Sequence, residues 1–143
     1  MNESATHKGH SDTTEAGIRV RVGAQYVPED SDPDRSAYVF AYRVVIENVG
    51  VEPAQLLDRH WIIVDALGER REVRGPGVVG EQPQLAPGEH FEYTSGAQLT
   101  TSWGSMEGSY TFARPDGERF EAPIGRFFLA PNVAPLTSDS PGS

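Results

Sequence analysis

The chain has 143 residues, no cysteine and a formal net charge of -9. This length fits one domain, and the missing cysteines exclude disulfides, thiolate metal sites and cysteine nucleophiles. The acidic balance argues against a nucleic-acid partner, and no apolar run approaches the roughly 18 residues that a membrane span needs. The first residues show neither a basic nor an apolar signal region, so we expect a cytoplasmic protein.

The two ends of the chain differ in composition from its centre. Residues 1–16 are polar and irregular, and residues 131–143 are rich in proline and small polar residues. Both compositions are typical of disordered tails. We therefore predict one domain over residues 17–130, flanked by two disordered tails.

Between the predicted tails, short runs of alternating apolar and polar residues are separated by turn residues, which is the pattern of strands. The clearest run places Tyr38, Phe40 and Tyr42 on one face. Residues 70–74 are polar and suit a sheet edge. Pro123 lies in the last run and indicates that this strand is at an edge as well. Gly108 suggests a bulge or a close backbone approach. The predicted strands, in chain order, cover residues 18–22, 38–47, 56–65, 70–74, 91–94, 106–112 and 120–129.

No long segment has helical periodicity without a proline or glycine inside it. About seven short antiparallel strands in a chain of this size are typical of an immunoglobulin or fibronectin type III sandwich. The predicted fold class is therefore an all-β, immunoglobulin/fibronectin type III-like antiparallel β-sandwich.

Residues 75–80 spell GPGVVG, the glycine spacing of a dinucleotide-binding loop. Prolines follow in place of the helix that such a loop requires, which excludes a Rossmann site. The backbone amides of Gly75, Gly77 and Gly80 could instead form an anion-binding nest, with charge from the arginines listed next. These are Arg70, Arg71 and Arg74. The alternative is that the glycines only permit a tight crossing between sheets.

Other polar residues give weaker signals. The acidic residues of segment 29–34 could offer oxygen ligands to a hard cation, but the segment lacks the glycine and distal glutamate of an EF-hand, and a solvated turn is favoured. The histidines are scattered, so we assign no metal ligand and no cofactor. Ser95 lacks the setting of a nucleophile elbow and no acid/base pair stands out, so we predict no enzyme activity. Trp103 could anchor a partner or cap the core.

Several stretches of the sequence carry a specific pattern. They are residues 40–48 (FAYRVVIEN), 59–65 (RHWIIVD), 75–83 (GPGVVGEQP), Leu85, 87–89 (PGE), Phe91, 93–96 (YTSG) and 104–110 (GSMEGSY). Taken together and in this order, from about Gly17 to Leu129, they resemble the ApaG family.

The resemblance implies a fibronectin type III-like sandwich in a cytoplasmic protein and a supposed role in protein–protein interaction. It also implies a genetic link to cobalt resistance and magnesium efflux, without a defined biochemical activity. We therefore expect a non-catalytic binding module with a protein partner of unknown identity. The alternative is a sensor of phosphate, pyrophosphate or a nucleotide at the loop of residues 75–80, with or without a divalent cation.

Overall fold

The structure, a computed structural model, describes residues 8–131. Two short 3-10 turns, Pro28–Asp30 and Pro33–Arg35, are the helical elements of this part of the chain. The strands are β1 (His10–Glu15), β2 (Ile18–Tyr26), β3 (Tyr38–Asn48), β4 (Ala54–Asp65), β5 (Arg70–Pro76), β6 (Gln84–Leu85), β7 (His90–Leu99), β8 (Gly104–Ala113) and β9 (Arg119–Leu129).

The strands form two antiparallel sheets. One has the order β1-β2-β3-β7, and the other has the order β5-β4-β8-β9 with β6 also paired to β4. The predicted all-β sandwich is confirmed, and each of the seven predicted strands is present. The polar strand β5 and the proline-containing β9 lie at the two ends of the second sheet, as predicted.

Two strands were missed by the sequence analysis. Residues 10–15 were assigned to a disordered tail, and this is wrong because they form β1, which pairs along β2 through a turn at Ala16 and Gly17. The segment HSDTTE lacks apolar alternation, so its strand depends on tertiary contacts. Thr13 donates a hydrogen bond to the carbonyl of Pro123 (2.8 Å), and Phe128 donates one to that of Lys8 (2.8 Å). The other missed strand is β6, which has two residues. The rest of the predicted tails, residues 1–7 and 132–143, lies outside the described residues.

The core lies between the sheets and is aromatic. Trp61 of β4 is 2% exposed and makes edge contacts with Tyr42, Tyr110 and Phe127 at centroid distances of 5.2, 6.4 and 6.0 Å. These four residues come from strands of both sheets, so Trp61 joins the sheets through ring contacts of the favourable edge-to-face kind.

Gly108 of β8 marks the close approach that the sequence suggested. The β8–β9 register shifts between Met106 and Gly108, and a Cβ atom at Gly108 would lie 1.9 Å from the carbonyl oxygen of His60. Any larger residue would therefore push β8 away from β4.

Asn48 is a polar residue buried in the core. Its side-chain amide donates to the carbonyls of Glu52 (2.8 Å) and Leu85 (2.9 Å), and its oxygen accepts from the amide of Gly50 (3.0 Å). Buried polar groups cost little when they are paired in this way. Asn48 thereby ties the end of β3 to the crossing segment that leads from one sheet to the other.

Candidate functional site

The glycine-rich segment is a tight hairpin rather than an open loop. Val78 and Glu81 exchange two backbone hydrogen bonds of 2.8 Å, and Val79 and Gly80 between them have φ of 42° and 82°. Two consecutive positive φ values define a type I′ turn, for which glycine is favoured at the second position. Gly80 therefore serves the turn.

Gly77 has a steric role in the same hairpin. Its φ is 63°, and a Cβ atom there would lie 2.4 Å from the carbonyl oxygen of Glu81. Its amide donates to the carbonyl of Leu57 (2.7 Å), at the point where the register of β4 shifts against β8. The amides of Gly77 and Val78 are thus engaged by backbone carbonyls and cannot also serve a phosphate.

Gly75 leaves space for the guanidinium group of Arg59, which was not among the predicted site residues. A Cβ atom at Gly75 would lie 2.9 Å from Nη2 of Arg59. Nη1 of Arg59 donates to the carbonyls of Pro76 (2.9 Å) and Gly77 (3.0 Å). Arg59 therefore lies over Gly75 and fixes the start of the hairpin, which gives this glycine a structural role as well.

The arginines of β5 alternate between the two faces of the strand. Arg70 and Arg74 share one face with Glu72, whose carboxylate lies 2.8 and 3.5 Å from their guanidinium groups. His60 of β4 lies 2.9 Å from the same carboxylate. The hydrogen bond with His60, followed by that with Arg70, holds the pKa of Glu72 below its ordinary value of 4.5. Glu72 therefore offsets part of the positive charge predicted for this strand.

A depression of about 330 Å³ lies on the outer face of the five-stranded sheet. Of the predicted site residues, Arg74 and Gly75 line it, whereas Arg70, Arg71, Gly77 and Gly80 do not. The remaining lining residues were not predicted from the sequence; they include Asp58, His60, Ser109, Thr111 and Glu121. Two carboxylates beside the basic groups give the depression mixed charge, which is unlike a dedicated phosphate site.

A tyrosine cluster lies inside the sandwich. The hydroxyl oxygens of Tyr93 and Tyr110 are 2.5 Å apart, and Tyr42 hydrogen bonds with the side chain of Ser95. Burial raises the pKa of Tyr42, Tyr93 and Tyr110 above the ordinary value of 10.0. These phenols are therefore neutral at physiological pH, and Ser95 serves a structural hydrogen bond.

The two long sides of the sandwich differ. On one side, β1 and β2 pack against β9, so the sheets close on each other. The opposite ends of the two sheets are β7 and β5, each paired with a single neighbour among the described strands. We call this side, formed by His90–Leu99 and Arg70–Pro76, the open side. Unpaired strand edges are ready to pair with another chain, which makes the open side the candidate interaction surface.

The remaining candidates are exposed. Segment 29–34 forms most of the two 3-10 turns, and Asp32 pairs with Arg35 at 3.6 Å. Trp103 is 46% exposed and contacts Phe128 at a centroid distance of 6.4 Å. Between residues 8 and 131 there is no group of three or more histidine, aspartate or glutamate residues arranged to hold a metal ion. In the same span, no helix has the length and apolar character to cross a membrane.

The fold defines an antiparallel β-sandwich domain of the fibronectin type III-like class. A family model for the ApaG domain matches residues 28–114. The chain is similar to Protein ApaG of Dechloromonas aromatica (strain RCB), with 53% identity over 120 residues that cover 84% of this chain and 94% of that protein. It is also similar to Protein ApaG of Chromobacterium violaceum, with 56% identity over 117 residues that cover 81% and 93%.

The structural comparison agrees with the sequence comparison. A crystal structure of a Bordetella pertussis protein described as ApaA has a TM-score of 0.78 and 50% sequence identity, and the match covers 90% of this chain and 99% of that one. The chain belongs to the ApaG domain family.

Proposed function

We propose that this chain is a non-catalytic protein-interaction module of the cytoplasm and that the open side is its contact surface. The observation that carries the proposal is that β5 and β7, each with one unpaired edge, lie together on one side of a sandwich whose other side is closed. Strand edges and the connections beside them are common recognition surfaces. The cysteine-free composition fits a reducing compartment.

The chemistry of the polar residues supports a binding role over a catalytic one. The side chain of Ser95, in β7, forms its hydrogen bond with Tyr42 and not with a histidine. The phenols of the core are protonated, and Glu72 is held by His60 and Arg70 in an exposed ion-pair group. In this proposal, the genetic link to cobalt resistance and magnesium efflux that the family resemblance implies would act through the partner.

Site-specific photo-cross-linking at native expression tests the proposal. A photoreactive residue at Thr94, exposed on the open side, should capture the same partner repeatedly. The matched control is Gln25, which is exposed on the same sheet two strands away, since Gln25 pairs with Ala41 and Ala41 pairs with Gly96. We expect no capture from Gln25. Repeated absence of a specific partner from Thr94 and from positions along β5 would end the proposal.

A phosphate or pyrophosphate ligand is the second candidate, with Mg²⁺ or another divalent cation as a variable. The observation in its favour is that Arg74 and Gly75 line the outer depression beside Arg59 and His60. Calorimetry with pyrophosphate and with ATP, each with and without Mg²⁺, tests it. The second candidate requires saturable heat that the Arg74→Ala variant loses, and zero heat in all four titrations removes it.

A further inference from the structure

Three of the four strand edges of the sandwich are protected. The edge of β1 and the edge of β9 face each other and are joined by hydrogen bonds of Lys8, Thr13, Pro123 and Phe128. The β5 edge carries Arg70, Arg71, Glu72 and Arg74. Coverage, proline and charge are the usual devices that keep an edge from pairing with other strands.

The fourth edge, that of β7, lacks these devices over most of its length. Its register against β3 runs through ten consecutive pairs, from Tyr38 with Leu99 to Glu47 with His90, with no shift. Residues 94–99 (TSGAQL) contain no charge and no proline. A regular, neutral and unbulged edge is the geometry that an additional strand requires.

The surroundings of this edge define the side chains of a strand that would join it. Phe91 and Ala97 of β7 and Val73 of β5 are partly buried and pack against the core. These three residues lie at the open side. A strand added there would cover them with the side chains of one of its two faces, which come from every second residue. The added segment should therefore alternate apolar with polar residues.

Charge favours an acidic segment. Arg70 and Arg74 of β5 pair with Glu72 on the outer face of the strand, so Arg71 is the β5 arginine on the face toward the other sheet, although the whole chain carries -9. Arg71 is exposed and lies on the same face of β5 as Val73, because it pairs with Ile63 and Val73 pairs with Trp61. An acidic segment on β7 would bring carboxylates toward this arginine edge.

The same charges disfavour a second copy of this chain. A symmetric pairing of β7 with β7 would place the arginine-rich β5 edges of both copies on neighbouring sides, and it would bring together two chains of -9 each. Like charges weaken such an interface. An acidic segment avoids the first objection, because it brings carboxylates and not a second set of arginines to the β5 edge.

We propose that the edge of β7 binds an extended, acidic segment of a partner protein as a fifth strand of the four-stranded sheet. This inference rests on the proposed function and specifies its partner and its binding mode. Backbone hydrogen bonds supply the attraction along residues 94–99, apolar side chains of the segment cover Phe91, Ala97 and Val73, and acidic side chains face Arg71.

Amide NMR of the full chain with a synthetic peptide tests this inference. The probe is a capped ten-residue peptide in which valine alternates with threonine and glutamate, except that one further glutamate replaces the valine at the end near Arg71, on the face that meets Val73 and Arg71. We expect saturating shifts centred on the β7 amides and slower hydrogen exchange along residues 94–99. Methylating the alternate backbone nitrogens on one edge of the peptide should weaken binding at least tenfold, because each lost hydrogen bond costs roughly two- to tenfold and several are lost together. Methylating the other edge should leave binding nearly unchanged.

Charge controls separate strand addition from electrostatic attraction. Replacing the glutamates of the peptide by lysines should weaken binding. Gln98→Glu places a like charge on the exposed face of β7 and should weaken the acidic peptide about two- to fivefold. Gln25→Glu adds the same charge to the exposed face of β2 and should change binding little.

Several outcomes would overturn the inference. One is equal sensitivity to methylation of either peptide edge, and another is a set of shifts centred on the depression at Asp58 and His60. A third is protection of the β7 amides that rises with protein concentration alone, which would identify a second copy as the occupant. Cross-linking from Thr94 reports separately on the proposed function: a captured partner whose binding Gln98→Glu does not change would overturn the strand-addition mode and leave the interaction module intact.

Discussion

Arg59 lies over Gly75, so that a single added carbon at Gly75 would come within 2.9 Å of its guanidinium group. The guanidinium group donates to the carbonyls of Pro76 and Gly77, which begin the glycine-rich hairpin. This contact explains why glycine is needed at position 75, although the segment that it begins forms a hairpin and not a nucleotide-binding loop.

Gly75→Ala should displace Arg59 and break its two hydrogen bonds to the hairpin. We expect the free energy of unfolding to fall by about 1–2 kcal/mol. Urea denaturation measures the loss. Gly96→Ala is the matched control, because a Cβ atom there would meet its nearest atom, the carbonyl oxygen of Phe40, at an ordinary 3.5 Å. In the Arg59→Ala background, Gly75→Ala should cost much less, and full additivity of the two changes would contradict the coupling.

Gly108→Ala should be far more damaging than Gly75→Ala. The obstacle at Gly108 is the backbone carbonyl oxygen of His60, 1.9 Å from the added carbon, and backbone in the middle of a sheet cannot move as a side chain can. We expect a loss of about 3 kcal/mol or more, as for severe overpacking. Gly125→Ala meets the side chain of Thr13 at 2.9 Å and is the control, with a smaller cost. Equal thermal stability of the two variants would refute this account of Gly108.

Tyr93 and Tyr110 should behave as a coupled pair. Tyr93→Phe or Tyr110→Phe alone leaves one buried hydroxyl without its partner and should cost about 1–2 kcal/mol. The double variant leaves neither hydroxyl unpaired, so its cost should be smaller than the sum. Denaturation of the two single variants and the double variant completes the cycle, and a zero coupling energy would show that the 2.5 Å contact contributes nothing.

The same tyrosines predict a loss of stability at alkaline pH. Burial raises their pKa above the ordinary value of 10.0, so that above this pH the unfolded chain releases protons that the folded chain keeps. By linkage, the stabilisation is complete below pH 10.0 and is lost as the pH rises toward the folded pKa values. The free energy of unfolding, measured across this pH range, should fall steeply for the natural chain. It should fall less for the Tyr93→Phe, Tyr110→Phe double variant. The same pH dependence in both proteins would contradict the raised pKa values of the two tyrosines.

Glu72 predicts the opposite behaviour at acid pH. Because His60 and Arg70 lower its pKa below 4.5, its contribution to stability is present above that value and is lost as the pH falls through the lowered pKa. Glu72→Gln should therefore flatten the acid limb of the stability curve. Glu69→Gln, in the turn before β5, changes the net charge equally and leaves the ion pairs of Glu72 intact. An acid limb that Glu72→Gln does not change would show that these ion pairs are not formed in solution.

Much of the fold could be predicted from local pattern. Alternation along β3 and β4 identified buried faces, the charges of β5 and Pro123 of β9 identified sheet edges, and Gly108 identified a close approach. β1 could not be predicted, because HSDTTE owes its strand to pairing with β2 and to hydrogen bonds with β9, neither of which leaves a local trace in the sequence.

The candidate site was harder to predict because it depends on which elements meet. The sequence grouped Arg70, Arg71 and Arg74 with the glycines that follow them. In the structure, Glu72 forms ion pairs with Arg70 and Arg74, and the amides of Gly77 and Val78 donate hydrogen bonds to backbone carbonyls. Arg59, seventeen positions before Pro76, fixes the hairpin instead.

The sequence by itself determined the all-β class and the positions of seven strands, because alternation and turn residues act over a few neighbouring positions. The family followed from the motifs that the chain shares with ApaG proteins. Only the tertiary structure decided that Tyr93 meets Tyr110, that Arg59 lies over Gly75, and that β1 closes one side of the sandwich while β5 and β7 leave the other side open. These relationships join residues from different strands, and the packing of two sheets across a shared core sets them.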